Sequence, residues 1–260
     1  MRLLYSLSAA LCCMTLHAQV DMNKMIQERM AKHQAGQGGG ADDVKIEDDN
    51  DPFVPNTFIG SFTMEMHHFK KDVEDKDGVR NMHYWSSADK TLNQMDSPEM
   101  KGRTMKMMTD LKNKWTYMLM TDDKGKRTAM KSHKKKVTYT PDKDEKKPEV
   151  TVTNETKVIE GHTCTKVIVK SDDGTWTGWV TKDIPMAFGD MMRSMRGRGQ
   201  QDMEKQWAAV QGFPLEYEWV DKNGEDKMVV YIKDLKVGSV DEGVFSLDGY
   251  EVTEMPSFGR

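Results

Sequence analysis

LEYEWVDKNGEDKMVVYI, residues 215–232, decides the fold. Two β-prone runs, Leu215–Val220 and Asp226–Ile232, flank Asp221-Lys222-Asn223-Gly224. Asn before Gly supplies the positive φ that a tight hairpin turn needs. The same grammar recurs upstream. Cys164–Lys170 and Thr175–Thr181 flank Asp172-Asp173-Gly174, and Trp115–Thr121 and Lys126–Met130 flank Asp122-Asp123-Lys124-Gly125. Phe58–Phe69 and Val79–Ser86 flank Asp77-Gly78. Hairpins repeated in this way predict an antiparallel meander.

Methionine is the most distinctive residue on these strands. The chain carries 23. Met64/Met66, Met105/Met107 and Met118/Met120 each stand two apart in strand-like runs, so each pair lines one face of a sheet. Leu, Ile and Val are sparse in this half of the chain, which makes a soft thioether surface the alternative to an ordinary core. Such surfaces adapt to flexible apolar ligands.

The segments around the strands read differently. Arg2, the apolar stretch Leu3–Leu16 and the small Ala18 predict a secretory signal peptide over residues 1–18. Residues 19–57 read as a short amphipathic helix, with Met22, Met25, Ile26 and Met30 on one face, followed by a flexible Gly-rich and acidic tether through Asp42–Asp51. A single β-rich domain is expected over 58–255. Lys131–Lys136 and Asp142–Glu149 read as a charged, exposed loop. One helical insertion is expected near 186–210, where Phe188, Met191, Met192 and Met195 share a face and Gly197 and Gly199 end the helix.

Bulk properties narrow the function. The formal net charge is −4, which gives no support for nucleic-acid binding. Of 3 Cys, only Cys164 follows the predicted signal, so no internal disulfide is available to the exported chain. No nucleophile elbow, zinc-type His-Glu pattern, phosphate loop or paired-Cys motif is present, so no catalytic residue is assigned and an enzyme is not expected. No cofactor is implied. Met64-x-Met66-His67-His68 with Met82-His83 offers soft thioethers and imidazoles suited to copper. Strand alternation, however, sends His67 away from Met64, Met66 and His68.

The order of certain motifs resembles a known family. These are Phe58-Ile59-Gly60-Ser61-Phe62, Ile159-Glu160-Gly161-His162-Thr163-Cys164-Thr165-Lys166, Trp179-Val180-Thr181-Lys182-Asp183-Ile184-Pro185, and Val240-Asp241-Glu242-Gly243-Val244-Phe245-Ser246-Leu247 followed by Gly249-Tyr250. Together they resemble a secreted bacterial family known only as a domain of unknown function. More distantly they are similar to the LolA/LolB lipoprotein-carrier class. That resemblance implies a half-open antiparallel barrel, with short helices plugging its mouth and acyl chains held inside.

The fold expected is therefore mainly β (α+β), an antiparallel meander curved into a half-open barrel and covered by short helices. The function expected is binding of an apolar or lipid-like ligand by an exported envelope protein, periplasmic or associated with the outer membrane. The expected lining is Met64, Met66, Met105, Met107, Met118 and Met120, with Trp179, Met191 and Met195 as cover. The alternatives are an envelope interaction module with a protein partner, and copper binding through Met and His.

Overall fold

The computed structural model describes residues 44–75, 79–96, 100, 102–139, 148–186, 189 and 210–255. The chain divides into two compact units, residues 1–45 with 137–141 and residues 46–136 with 142–260. The main sheet, both cores and the candidate site all belong to the second unit.

The strands in chain order are β1 (Val44–Asp48), β2 (Gly60–Lys70), β3 (Val73–Glu74), β4 (Arg80–Ser86), β5 (Lys90–Asp96), β6 (Thr104–Asp110), β7 (Trp115–Thr121) and β8 (Arg127–His133). They continue as β9 (Lys135–Tyr139), β10 (Glu149–Ile159), β11 (His162–Ser171), β12 (Gly174–Thr181), β13 (Phe213–Asp221), β14 (Asp226–Val237) and β15 (Glu251–Glu254). One turn of 3-10 helix, Glu242–Phe245, precedes β15. The predicted signal, the N-terminal helix and most of the predicted helical insertion, with Met191 and Met195, lie outside the described residues.

Three expected hairpins, β7–β8, β11–β12 and β13–β14, are present; β2 pairs with β4 as expected, but it turns first at Lys71-Asp72 into β3, and Asp77-Gly78 lies outside the described residues. Asp122 and Asp221 each begin a turn by accepting backbone amides with their carboxylates: Asp122 from Lys124 and Lys126, Asp221 from Glu225 and Asp226. Those bonds hold both carboxyls below their usual range. Gly125 and Gly224 then take positive φ, as such turns require.

The main sheet has 13 strands in the order β10-β11-β12-β13-β14-β2-β4-β5-β6-β7-β8-β15, with β3 paired to β2. It is thus two meanders, β10–β14 and β2–β8, joined where β14 pairs with β2. All pairings are antiparallel except the last, where β15 runs parallel to β8. The edge strands β10 and β15 do not pair, so the sheet is not closed among the described residues.

The acidic tether is corrected in part. Val44–Asp48 is a strand, and it pairs with β9. Acidic residues do not order alone, but here lysines from the supposed charged loop neutralise them. Lys135 meets Asp48 at 2.6 Å and Lys136 meets Asp51 at 2.7 Å. Lys134 binds the buried Asp49, with Lys114 at 3.6 Å from the same carboxyl. Burial raises the Asp49 pKa, but the Lys134 bond, the Asp51 amide and both ammonium charges outweigh it, and the net direction is down.

Two hydrophobic cores form, on opposite sides of one sheet. Residues that pair across strands share a face. One face carries Phe62, Tyr84, Trp176, Tyr217 and Val230, which build the first core over β2, β4 and β11–β14. Phe62 stacks on Tyr84 at 4.9 Å and meets the edge of Phe213 at 5.3 Å. The Trp176 ring lies over Gly178, where any Cβ would strike it. The second core joins Leu92, Met108, Tyr117, Leu119 and Ala129 with Phe245, and the register puts its strand residues on the reverse face. Strand β4 hands over between the two: Tyr84 is buried in the first core, while the adjacent Trp85 packs against the second. These two residues give the sides their names, the Tyr84 face and the Trp85 face.

Candidate functional site: a thioether face

Because the second core lies under the Trp85 face, the Tyr84 face of β5–β8 is built from other residues. Register defines them row by row. Tyr84, Asn93, Met107, Met118 and Met130 stand opposite one another across five consecutive strands. On one side of that row lie Met82 paired with Met95, and Met105 paired with Met120 and then Thr128. The β5–β6 pairing ends at Gln94 and Lys106, one residue short of Met95 and Met105. On the other side runs a row of hydroxyls, Ser86, Thr91, Thr109, Thr116 and Ser132. Cross-strand neighbours of this kind have Cβ atoms about 5 Å apart, so the thioethers form a contiguous patch.

The six strand methionines expected from sequence all lie on this one face. Met64 pairs with Met82, which fixes β2 to the same side, and Met66 follows two residues on. Their environments differ. Met64 is 1% exposed and belongs to the first core, with Met66 and Met82 packed against that core. Met107 is 37% exposed and Met105 is 44% exposed. Met118, Met120, Met95 and Met130 are half-buried. The band therefore starts inside the protein and emerges on its surface.

Trp179 does not join it. It pairs with Glu216 and lies an odd number of residues from Trp176, so its Cβ leaves β12 on the opposite side, while the half-buried side chain still packs against the first core. There the Lys157 ammonium lies 4.5 Å from its centroid and bonds Glu216 at 2.8 Å. A cleft of about 490 Å³ bordered by Val150, Val152, Thr165 and Val167 contains none of the six strand methionines.

The Met/His set separates as alternation requires. Met64, Met66, His68 and Met82 face one way, His67 and His83 the other. His67 is held by Glu74 at 2.6 Å and Glu65 at 3.2 Å, and Lys233 reaches Glu65 at 2.6 Å. The Glu74 bond leads in raising the His67 pKa, with burial opposing it. Burial lowers that of His68, helped by the Arg80 charge. Among the described residues no cluster of His, Cys, Asp and Glu is arranged to hold a metal ion.

One arrangement resembles hydrolase chemistry in outline. Thr63 Oγ1 lies 3.0 Å from His83 Nδ1, and His83 Nε2 lies 2.9 Å from Asp96. Thr63 sits in mid-strand, paired to His83 on one side and Lys233 on the other. Cys164 is buried, and burial pushes its thiol pKa up, away from reactive thiolate.

Sequence reasoning missed Met82, Met95, Met130, Asn93 and the hydroxyl row as members of this face. Period-two alternation was there to be read on each strand. Their convergence depends on the register of five consecutive strands.

Fold and site together define an open, mainly β sheet with two opposed cores and a thioether-lined face. Residues 58–248 match the domain of unknown function DUF4412, and the chain belongs to that family. No curated protein sequence matches it. Among solved structures, PNGF-II is similar at 16% identity and TM-score 0.35, covering 76% of this chain. This chain spans only 31% of the PNGF-II chain. A DUF1329 family protein from Desulfovibrio piger is similar at 8% identity and TM-score 0.31, covering 74% of this chain and 91% of that one. A domain described as that of an outer membrane lipoprotein-sorting protein, from Vibrio parahaemolyticus, is similar at 10% identity and TM-score 0.28, covering 72% and 88%. Among the described residues no helix is long and apolar enough to cross a membrane.

Proposed function

We propose that this protein is a non-catalytic binder of an apolar, lipid-like ligand, exported to the cell envelope, with the Tyr84 face of β5–β8 as its contact surface. The observation that carries the reading is the emergence of Met105 and Met107 at the surface of a continuous thioether band. A purely structural core would bury those side chains. Each ligand CH₂ covered there gains about 0.8 kcal/mol, and unbranched thioethers tolerate a ligand without fixed shape. The open order of the sheet, from β10 to β15, supports a half-open arrangement rather than a sealed one. The half-buried Thr109, Thr116 and Ser132 of the adjoining hydroxyl row would meet the polar end of an amphiphile.

Copper binding through Met and His is disfavoured, because His67 and His83 point away from the methionines and already hold carboxylates.

The test is uptake of a fluorescent fatty acid, with lipid extraction and native mass spectrometry of gently purified protein. Binding is expected, and Met107→Lys with Met118→Lys weakens it by about tenfold or more, since a charge must then be desolvated. Protein free of any amphiphile that also takes up no fatty acid would sink the proposal.

A further inference from the structure

The reverse side of the same strands carries a second feature. On the Trp85 face of β6–β8, pairing sets Thr104 beside Thr121 and Arg127, and sets Lys106 beside Leu119 and Ala129. The C-terminal segment walls this region with Gly243, Val244, Ser246, Asp248 and Tyr250, enclosing a cleft of about 500 Å³. That size is within the range of small-molecule sites, roughly 300–1,000 Å³. Its floor is apolar, made by the fully buried Leu119 and by Val244.

The charges around the cleft are matched unevenly. Lys126 and Lys131 meet carboxylates of β15, Glu251 and Glu254, each at 3.3 Å. Among the described residues no carboxylate pairs with Lys106 or Arg127. The Arg127 guanidinium lies 5.8 Å from the Tyr250 ring centroid, which steadies it at the rim. Lys106 and Arg127 sit two strands apart, roughly 10 Å, with Leu119 and Thr121 between them. Two long cationic side chains at that spacing can close on one anion from both sides. Thr104, Thr121 and Ser246 add hydroxyl donors, and the Asp248 carboxylate lines the C-terminal wall, so the two cations outweigh it by one charge.

We infer that this cleft binds a small organic anion, a carboxylate or phosphate monoester on an aromatic or short aliphatic body. The anionic group lies between Lys106 and Arg127, and the apolar body rests on Leu119 and Val244 under Tyr250. The site is independent of the thioether face, which lies on the other side of the sheet.

Calorimetry with phenyl phosphate, benzoate, inorganic phosphate and phenol tests it. Phenyl phosphate or benzoate binds the wild type, and phosphate and phenol each bind at least about tenfold more weakly. Lys106→Gln and Arg127→Gln each weaken binding about tenfold, the loss of one charge-assisted hydrogen bond. Lys170→Gln, on β11 of the other meander, leaves it unchanged. In the wild type, methyl resonances of Leu119 and Val244 shift on titration, which needs no variant. Three results overturn the inference: no binding of either organic anion, equal affinity in the Lys106→Gln/Arg127→Gln double variant, or inorganic phosphate binding as tightly as phenyl phosphate.

Discussion

The two meanders of the sheet solve the same packing problem with different residues. In β11–β14 and β2 the Tyr84 face is filled by Trp176, Tyr217, Phe62, Val169 and Val230, all buried. In β5–β8 that face carries methionines and hydroxyls, while burial moves to the reverse side beneath Phe245 and Tyr250. Aromatic and branched residues fit where contacts are fixed. On this face of β5–β8 the thioethers stand where the surface emerges, unlike the buried Met64 of β2. The difference marks which part of the face is committed to the core and which part lies at the surface.

The largest effects should come from breaking either core. Trp176→Ala is expected to cost about 3–5 kcal/mol and Leu119→Ala about 2–5 kcal/mol, because each leaves a cavity in fully buried surroundings. Urea unfolding measures both. A Leu119→Ala protein as stable as wild type would mean that the second core does not support β5–β8. Next come paired methionine truncations along one face. Met64→Ala should cost about 2–5 kcal/mol, whereas Met107→Ala should stay within about 0.5 kcal/mol of wild type. Equal losses at the two positions would erase the distinction between committed and open thioethers.

The smallest expected effect is electrostatic. His67 is protonated more readily in the folded protein than its ordinary pKa of about 6.5 would allow, chiefly through the Glu74 bond. Its stabilising contribution is therefore complete below that value and is lost as the pH rises through the elevated folded pKa. The stability gap between wild type and His67→Gln should be wider at pH 6 than at pH 9. A gap that widens with pH would contradict the proposed carboxylate pairing.

Much of this fold is legible in the amino-acid sequence alone. Asp-Asn-Gly turn chemistry locates the β7–β8, β11–β12 and β13–β14 hairpins, since the positive-φ requirement is local. The i, i+2 methionine pairs are equally plain. Their collection onto a single face is not, because it depends on register summed over five strands. The side of the sheet that Trp179 takes is equally hidden, because it is settled only once β12 is fixed against β13. The acidic run Asp48–Asp51 reads as a tether because its lysine partners lie more than eighty residues away. The Lys106/Arg127 cleft is invisible for the same reason, as its wall arrives from the C-terminal segment.

The junction of the meanders has a consequence for how the chain is made. β2, residues 60–70, completes its second ladder only with β14, residues 226–237. A ribosome delivers β2 long before β14. Until then the inner strand of the finished sheet is a raw edge, and its Phe62 and Met64 await the first core. Closing so distant a contact is slow. A nascent chain released in pieces would therefore be sticky until nearly the whole domain has emerged, and a chaperone that shields β2 during that interval would raise the yield of folded protein.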